Sequence, residues 1–298
     1  MTHGDLAEPE ARLRRRTFDI GDAEGGRLSA IEFGPAEGSL DLIFLHANGF
    51  NGRTYRTILE PLASERRILA VDQRGHGRTT LPAEPRSGRR SWDDLAADLV
   101  AILDRLDGPP VTLAGHSMGG TASVLAAVQR PDRVRRLVLF DPVILPWPVT
   151  MALRFGIPAR RFKDLRSLAE GALRRKASFP SREAALAAYT GRGAFRTWRP
   201  EQLADYVADG FRVAPAGGVE LACAPAWEAS NFLSHAHDVW GALRKLRCPV
   251  RIIRAEKGST CAVTRPLASG MMVETVPGTT HFLPMERPER VRAALLGQ

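Results

Sequence analysis

A Gly-His-Ser-Met-Gly motif at residues 115–119 constrains the fold of this chain more than any other feature. An apolar, β-branched run at 111–114 precedes it, and a helix-forming stretch of small residues follows at 121–129. This pattern predicts a strand, a sharp turn and a helix, with Ser117 at the apex. Gly115 and Gly119 lack the Cβ atoms that would crowd such a turn. The turn exposes the Ser117 hydroxyl beside the positive end of a helix, so Ser117 is the candidate nucleophile.

Strand and helix patterns alternate on both sides of this motif. Strands are predicted at 17–20, 28–33, 40–45, 67–71, 134–140, 249–255 and 271–276, and helices at 55–64, 91–106 and 286–296. Alternation of this kind predicts an α/β fold with a mostly parallel central sheet between two layers of helices. Residues 1–16 are expected to form a loosely held tail.

The alternation stops between residues 144 and 246. Helical patterns predominate there, at 160–177, 182–188, 200–210 and 237–246. A segment of about 100 residues is too long for a loop between two strands. We therefore expect residues 144–246 to form an all-helical cap domain over the carboxyl ends of the strands, where such sheets bind ligands. Residues 1–143 and 247–298 would form the core domain, and Phe50, Trp147 and Phe155 are predicted to line the substrate pocket.

Composition excludes several classes of protein. The formal net charge is +9, but the basic residues are scattered without interleaved aromatic residues, which argues against a nucleic-acid interface. A basic concentration in the predicted cap is interpreted as an outward helix face; it comprises Arg160, Arg161, Lys163, Arg174, Arg175 and Lys176. No apolar run approaches the roughly 20 residues of a membrane span.

Three widely spaced cysteines, and the absence of a signal-peptide pattern, predict reduced thiols in a cytoplasmic protein. The sequence gives no indication of a metal, a cofactor or an oligomeric state. His235 and His237, two positions apart, would diverge on a helix and have no evident third ligand.

A serine nucleophile needs a base and a carboxylate. His281 lies between the last predicted strand and the last helix, where an imidazole can reach over the strand ends, so it is the candidate base. Two acids compete to orient it: Asp141 and Glu256 each follow a predicted strand. The two N–H donors of an oxyanion hole are expected from Met118, directly after the nucleophile, and from the loop at 46–50. In that loop the first choice is the Asn48 N–H, with its side chain as an additional donor, and the second choice is the Ala47 N–H.

Four motifs give the chain a resemblance to the α/β-hydrolase superfamily. They are Leu-His-Ala-Asn-Gly-Phe (45–50), Asp-Gln-Arg-Gly-His-Gly (72–77), Gly-His-Ser-Met-Gly-Gly (115–120) and Pro-Gly-Thr-Thr-His-Phe (277–282), in the family's order. Many relatives carry the triad acid two residues beyond the position of Glu256, but Gly258 stands there in this chain. Other branches carry it after the earlier strand. The resemblance therefore favours Asp141 as the acid and keeps Glu256 as the alternative.

The resemblance also implies an activity. Relatives that open epoxides or remove halides attack with aspartate, whereas Ser117 is suited to acyl transfer. The expected function is a serine hydrolase, of the carboxylesterase type, that acts on a small hydrophobic ester. The alternatives are a carbon–carbon bond or lactone hydrolase of the same fold and a non-catalytic protein that binds a small molecule.

Overall fold

The computed structural model describes residues 14–85 and 88–298. The strands, numbered along the chain, are β1 (Arg14–Phe18), β2 (Leu28–Phe33), β3 (Leu42–Leu45), β4 (Ile68–Asp72), β5 (Val111–His116), β6 (Val134–Phe140), β7 (Ser178–Phe179), β8 (Phe211–Val213), β9 (Val219–Leu221), β10 (Val250–Ala255) and β11 (Met271–Val276). The helices are α1 (Arg56–Leu59), α2 (Asp93–Leu103), α3 (Met118–Gln129), α4 (Trp147–Arg154), α5 (Lys163–Leu173), α6 (Arg182–Tyr189), α7 (Pro200–Gly210), α8 (Pro225–Phe232), α9 (Val239–Lys245), α10 (Leu283–Glu286) and α11 (Pro288–Leu296).

Eight of the strands form one sheet, in the order β1-β2-β4-β3-β5-β6-β10-β11. Strands β4, β3, β5, β6, β10 and β11 are parallel to one another, and β2 runs antiparallel to both β1 and β4. The carboxyl ends of the six parallel strands therefore meet at one edge of the sheet.

Both faces of this sheet are buried under helices. Along β3, Ile43 and Leu45 join the core that contains α2, α3 and α9, whereas Leu42 and Phe44 join the core that contains α1 and α11. A parallel strand buried on both faces reads as a continuous apolar run, as β3 does. The prediction of a mostly parallel sheet between two helical layers agrees with this architecture.

Strand β1 begins earlier than the pattern predicted. Residues 14–16, which were expected to belong to the tail, pair with Ala30, Ile31 and Glu32 of β2. An edge strand accommodates three consecutive arginines because one of its sides has no neighbouring strand. The remainder of the predicted tail, residues 1–13, lies outside the described residues.

The insertion, residues 144–246 between β6 and β10, is not all-helical. It contains six helices, α4 to α9, and a three-stranded antiparallel sheet in the order β7-β9-β8. These strands are two or three residues long, too short to show a period in the sequence. Helix α9 packs its Val239, Trp240 and Leu243 into the same core as α3.

No helix in the described ranges has the length and apolar character that crossing a bilayer requires.

Candidate active site

Ser117 occupies the turn between β5 and α3. Its φ of 55° and ψ of −119° lie in a region that side chains rarely adopt. The turn needs glycine at both flanking positions, because the backbone of other residues lies where a Cβ atom would be. A Cβ on Gly115 would lie 2.5 Å from the backbone of Gly119, and one on Gly119 would lie 2.4 Å from the carbonyl oxygen of Leu45. The turn therefore presents the Ser117 hydroxyl at the edge where the strands end.

His281 lies between Ser117 and Asp141. Its Nε2 is 3.0 Å from the Ser117 Oγ, and its Nδ1 is 2.6 Å from Asp141 Oδ2. Because a carboxylate only accepts, Nδ1–H donates to Asp141, which leaves the Nε2 lone pair directed at the serine hydroxyl. The structure thus brings three predicted site residues into one hydrogen-bonded chain, in the arrangement of a Ser-His-Asp triad.

Asp141 follows β6 and is fully buried. Its Oδ1 accepts from the Ala255 N–H at 3.0 Å and from the Ser259 hydroxyl at 2.5 Å, and its Oδ2 accepts from the Thr260 N–H at 3.1 Å. Burial acts to raise the pKa of Asp141. His281, Ser259 and the Ala255 N–H outweigh it and lower this pKa below its ordinary value. The carboxylate is therefore held ionised beside the imidazole.

Ser259 and Thr260 were not singled out from the sequence. They follow Gly258, at the position where many relatives carry the acid, and here they bind the carboxylate supplied by β6. A pair of hydroxyl residues beside the missing acid was the available signal.

The alternative acid, Glu256, is not beside His281. It is exposed, and its Oε2 accepts from the Gly278 N–H at 2.9 Å. Glu256 is the first residue after β10, and its side chain turns toward solvent, where it stabilises the loop that contains Gly278. The carboxylate that contacts the imidazole belongs to Asp141.

The loop after β3 offers one unoccupied backbone donor. The Ala47 N–H donates to the Tyr55 hydroxyl at 3.2 Å, and the Gly49 N–H donates to His76 Nε2 at 3.0 Å. The N–H of Asn48, between them, has no acceptor within the described part of the chain. The second choice, Ala47, is therefore committed to Tyr55, and Asn48 remains available for an oxyanion.

Met118 supplies a second backbone donor that has no acceptor among the residues described. It is the first residue of α3, so its N–H has no acceptor within the helix. This N–H directly follows the Ser117 turn and lies at the positive end of α3.

The Asn48 side chain, expected as an additional oxyanion donor, has other partners. Its Nδ2 donates to the Glu228 carbonyl at 3.0 Å, and its Oδ1 accepts from Asn231 Nδ2 at 2.8 Å. Both partners belong to α8 of the insertion. These two bonds hold the side chain against α8 and use one of its two N–H donors, so the backbone N–H of Asn48 is the better candidate for an oxyanion donor.

Two buried, neutral histidines, His116 and His76, hold the backbone of His281 and of the loop at 46–50 in place. His116 Nε2–H donates to the His281 carbonyl at 2.8 Å, and His116 Nδ1 accepts from the Tyr55 hydroxyl at 2.7 Å. His76 Nδ1–H donates to the Arg74 carbonyl at 2.9 Å, which leaves Nε2 to accept from Gly49. Burial lowers the pKa of His76 to about 4, and burial together with His281 lowers that of His116 to about 3.

A cavity of about 970 Å³ opens onto Ser117 and His281. Core and insertion both contribute to its mostly apolar wall, including Phe50, Ile144, Leu145, Leu165, Phe195 and Phe232. Phe50 thus lies where it was predicted, but Trp147 and Phe155 do not. They are 52% and 86% exposed, because they lie on the outer side of α4 and at its end.

The cavity wall also contains an ion pair between the partly buried Arg175 and the buried Glu228. Arg175 Nη1 is 2.5 Å from Glu228 Oε2, and Arg175 Nη2 donates to the Tyr206 hydroxyl at 2.7 Å. Burial acts to lower the pKa of Arg175, but Tyr206 and Glu228 raise it above its ordinary value, so the guanidinium stays charged. Glu228 Oε1 lies against Gly49, where a Cβ would come within 2.7 Å of it.

The sequence predicted a helix that begins at His237, but α9 begins at Val239, so neither His235 nor His237 lies on a helix. Their rings pack against Trp92, with ring centroids 4.6 and 5.0 Å from that of the indole. Among residues 14–85 and 88–298, no cluster of three or more histidine, cysteine, aspartate or glutamate side chains could hold a metal ion. The three cysteines are free thiols.

A family model described as "Alpha/beta hydrolase family" matches residues 42–294, which is most of the chain. The chain belongs to this alpha/beta hydrolase family. The superfamily and the fold predicted from the four motifs are confirmed.

Two curated hydrolases are similar in sequence. A 2-(acetamidomethylene)succinate hydrolase of Mesorhizobium japonicum is 26% identical over 258 residues, covering 83% of this chain and 84% of that protein. A 2-hydroxymuconate semialdehyde hydrolase of Pseudomonas is 35% identical over 116 residues, covering 38% of this chain and 40% of that protein. The crystal structure of an E-2-(acetamidomethylene)succinate hydrolase superposes with a TM-score of 0.77 at 26% identity, covering 96% of this alpha/beta hydrolase and 98% of that chain.

The buried histidines predict a measurable effect of pH on stability. Burial lowers the pKa of His237 to about 3, so between pH 6 and pH 4 the unfolded chain binds a proton there that the folded chain does not. His237 therefore makes the free energy of unfolding fall with falling pH, by about 1.4 kcal/mol per unit. Substitution His237→Gln should reduce that slope by about this amount in urea titrations.

The comparison of single variants isolates this effect. Burial raises the pKa of Asp72 to about 7 and that of Asp98 to about 6, and these groups change stability in the opposite direction. An unchanged slope in the His237→Gln protein would contradict a neutral, buried His237.

Proposed function

We propose that the chain is a serine hydrolase that cleaves carboxylic esters through an acyl-enzyme on Ser117. His281 acts as the general base and Asp141 orients and stabilises it, while the N–H groups of Asn48 and Met118 bind the oxyanion. The observation that carries the proposal is the continuous chain of contacts, 3.0 Å from Ser117 Oγ to His281 Nε2 and 2.6 Å from His281 Nδ1 to Asp141.

The chemistry follows from this order of contacts. His281 Nε2 removes the Ser117 proton as Oγ attacks the ester carbonyl, and the two N–H groups stabilise the negative charge on the carbonyl oxygen. The imidazolium then gives its proton to the leaving alcohol, and the acyl-enzyme forms. Water, activated by the same imidazole, attacks the acyl carbon and releases the acid.

We also propose that the insertion, residues 144–246, acts as a cap over this site. Its helices supply much of the cavity wall, and α8 contacts Asn48. A largely apolar enclosure excludes water from the first step and suits an acyl chain without charge.

The relatives favour a second candidate, a hydrolase of the same fold that acts on a bond other than that of a simple ester. The names of the two curated relatives describe hydrolysis of a succinate derivative and of a muconate semialdehyde, not of a simple ester. A succinate carries two carboxylates, which need cationic partners when buried. Three arginines line the cavity of this chain: Arg175 is paired with Glu228, Arg254 donates to the Cys261 carbonyl, and Arg192 is exposed. Since the two that are not exposed already have partners, we favour an uncharged substrate.

The triad assignment can be tested by paired carboxylate variants. Substitution Asp141→Asn should lower kcat for p-nitrophenyl butyrate by about 10³- to 10⁴-fold, because an amide cannot hold the required tautomer or stabilise the imidazolium. Glu256→Gln, the matched control, should stay within about twofold because Glu256 contacts only the Gly278 loop. The reverse pattern would make Glu256 the acid.

A fluorophosphonate probe separates the hydrolase from a non-catalytic binding protein. The folded wild-type protein should be labelled, and Ser117→Ala should not. A folded wild-type protein that resists the probe would favour the binding protein.

The uncharged-substrate proposal predicts an effect of Glu228. Compared with wild type, Glu228→Gln should raise the ratio of kcat/KM for a p-nitrophenyl hemisuccinate to that for the butyrate about tenfold, since Arg175 then lacks its counter-charge. Glu60→Gln, which removes an exposed carboxylate from Arg56, serves as the matched control. An unchanged ratio in Glu228→Gln would contradict the proposal.

A further inference from the structure

Exposed apolar side chains are concentrated on one part of the insertion. Of the seven large hydrophobic residues exposed in the described part of the chain, four lie between residues 147 and 168: Trp147, Phe155, Ile157 and Leu168. Phe155 is 86% exposed and Trp147 is 52% exposed. Aromatic side chains left in water at this level mark a contact surface more often than single exposed leucines do.

Helix α4 explains how these residues come to face outward, because it has two apolar stripes. Thr150 and Leu153 are buried against the insertion. Trp147, Met151 and Phe155 are spaced four residues apart, so they follow one line along the outer side of the helix. The inner stripe, Val149 and Leu153, packs into a small core of the insertion, whereas the outer stripe is exposed at Trp147 and Phe155 and half-buried at Met151.

Basic residues accompany the outer stripe. Residues 154–166 contain five basic side chains and one acidic one. Arg154 is paired with Asp238, but three of the others, Arg160, Arg161 and Lys163, form no ion pair with the described residues. The surface formed by the four exposed apolar residues and these three basic residues is called the α4–α5 face below.

The α4–α5 face lies on the outside of the cavity wall. Leu153, Ala159 and Leu165 form one small core that joins α4, the turn after it and α5. Leu165 also lines the cavity, and Leu168 both lines the cavity and is 48% exposed. Leu168 therefore lies where the cavity meets the surface, on the same helix as Lys163.

We propose that the α4–α5 face docks on a lipid bilayer that contains anionic phospholipid. The apolar stripe would enter the boundary between headgroups and acyl chains, and the basic residues would contact the anionic headgroups. A tryptophan at one end of the stripe suits this boundary, because an indole has an apolar body and a polar N–H. Nucleic acid would be attracted by the basic residues, but it would leave the aliphatic side chains exposed to water.

Docking would orient the cavity opening at Leu168 toward the bilayer, so that an apolar molecule could reach the cavity without crossing water. The docking surface consists of α4, α5 and the turn between them. It does not depend on the proposed function, and its test needs no substrate.

The protein contains its own reporter for this contact. It has five tryptophans, of which Trp147 is 52% exposed and the other four are at most 9% exposed. With phosphatidylcholine vesicles that contain about 30% phosphatidylglycerol, the protein should co-sediment, and the Trp147 emission should shift to shorter wavelength and be quenched by doxyl-labelled lipid. Pure phosphatidylcholine vesicles should bind it at least about tenfold more weakly, and added salt should weaken binding to the anionic vesicles.

Two sets of variants test the surface. Phe155→Ser with Ile157→Ser, and the triple change of Arg160, Arg161 and Lys163 to Gln, should each lower the partition coefficient about tenfold. Control variants make the same number of changes at other exposed residues, where the three arginines are paired with carboxylates, and should change it less than about twofold. They are Val213→Ser with Met272→Ser, and Gln substitutions at Arg130, Arg212 and Arg290.

Several outcomes would overturn the proposal. They are absence of co-sedimentation, equal losses in the control variants, and vesicle binding without any change in Trp147 emission. Light scattering that shows a dimer broken by Phe155→Ser with Ile157→Ser would assign the face to a second copy of the chain. Displacement of the protein from vesicles by RNA, with retention of RNA binding in that same variant, would assign the basic residues to nucleic acid.

Discussion

Parallel pairing of the strands is the constraint on which the site depends. Five consecutive strands of the sheet each lead into one residue of the site. In sheet order they are β3 with Asn48, β5 with Ser117, β6 with Asp141, β10 with Thr260 and β11 with His281. Neighbouring strands lie about 4.8 Å apart, so residues that follow adjacent strand ends are within reach of one side chain. Groups separated by more than 200 residues in sequence, such as Asn48 and His281, therefore converge without long supporting loops. Antiparallel pairing would send alternate members to the opposite edge.

The backbone at this edge is strained, and the strain coincides with function. Ser117 and Asp141 are the two residues other than glycine with positive φ in the described ranges, at 55° and 42°. Neighbouring strands hold both in place: the Ser117 N–H donates to the Phe140 carbonyl at 3.0 Å, and the Asp141 N–H donates to the Ile253 carbonyl at 2.7 Å. Conformations of this kind persist only where the surrounding structure over-determines them. The strained turns aim one side chain at each side of His281.

Sequence reasoning succeeded where a local pattern and a geometric need coincided. The glycines around Ser117 and the loop position of His281 are local signals, and the structure brings those two residues together. The choice between Asp141 and Glu256 is not a local one, because both follow strands. Strand order alone would favour Glu256, since β10 is the neighbour of β11, and it is the direction of each side chain after its strand that brings Asp141 to the imidazole. Trp147 and Phe155 were misplaced for a related reason. A helix with two apolar stripes does not reveal from its sequence which stripe is buried. The short strands of the insertion escaped because two or three residues define no period.

The loop at 46–50, which carries the proposed oxyanion donor Asn48, connects the core to the insertion. From the core, Tyr55 accepts a hydrogen bond from the Ala47 N–H and His76 accepts one from the Gly49 N–H. His76 can accept because burial keeps its imidazole neutral. From the insertion, α8 holds the Asn48 side chain through Asn231 and a backbone carbonyl. A donor aimed at a developing negative charge is effective only if it is already oriented before the charge appears. Movement of α8 would release the Asn48 side chain while leaving the triad contacts in place, because the triad draws its partners from the strand ends alone. The orientation of Asn48 therefore depends on both the core and the insertion, whereas the contacts among Ser117, His281 and Asp141 depend on the core alone.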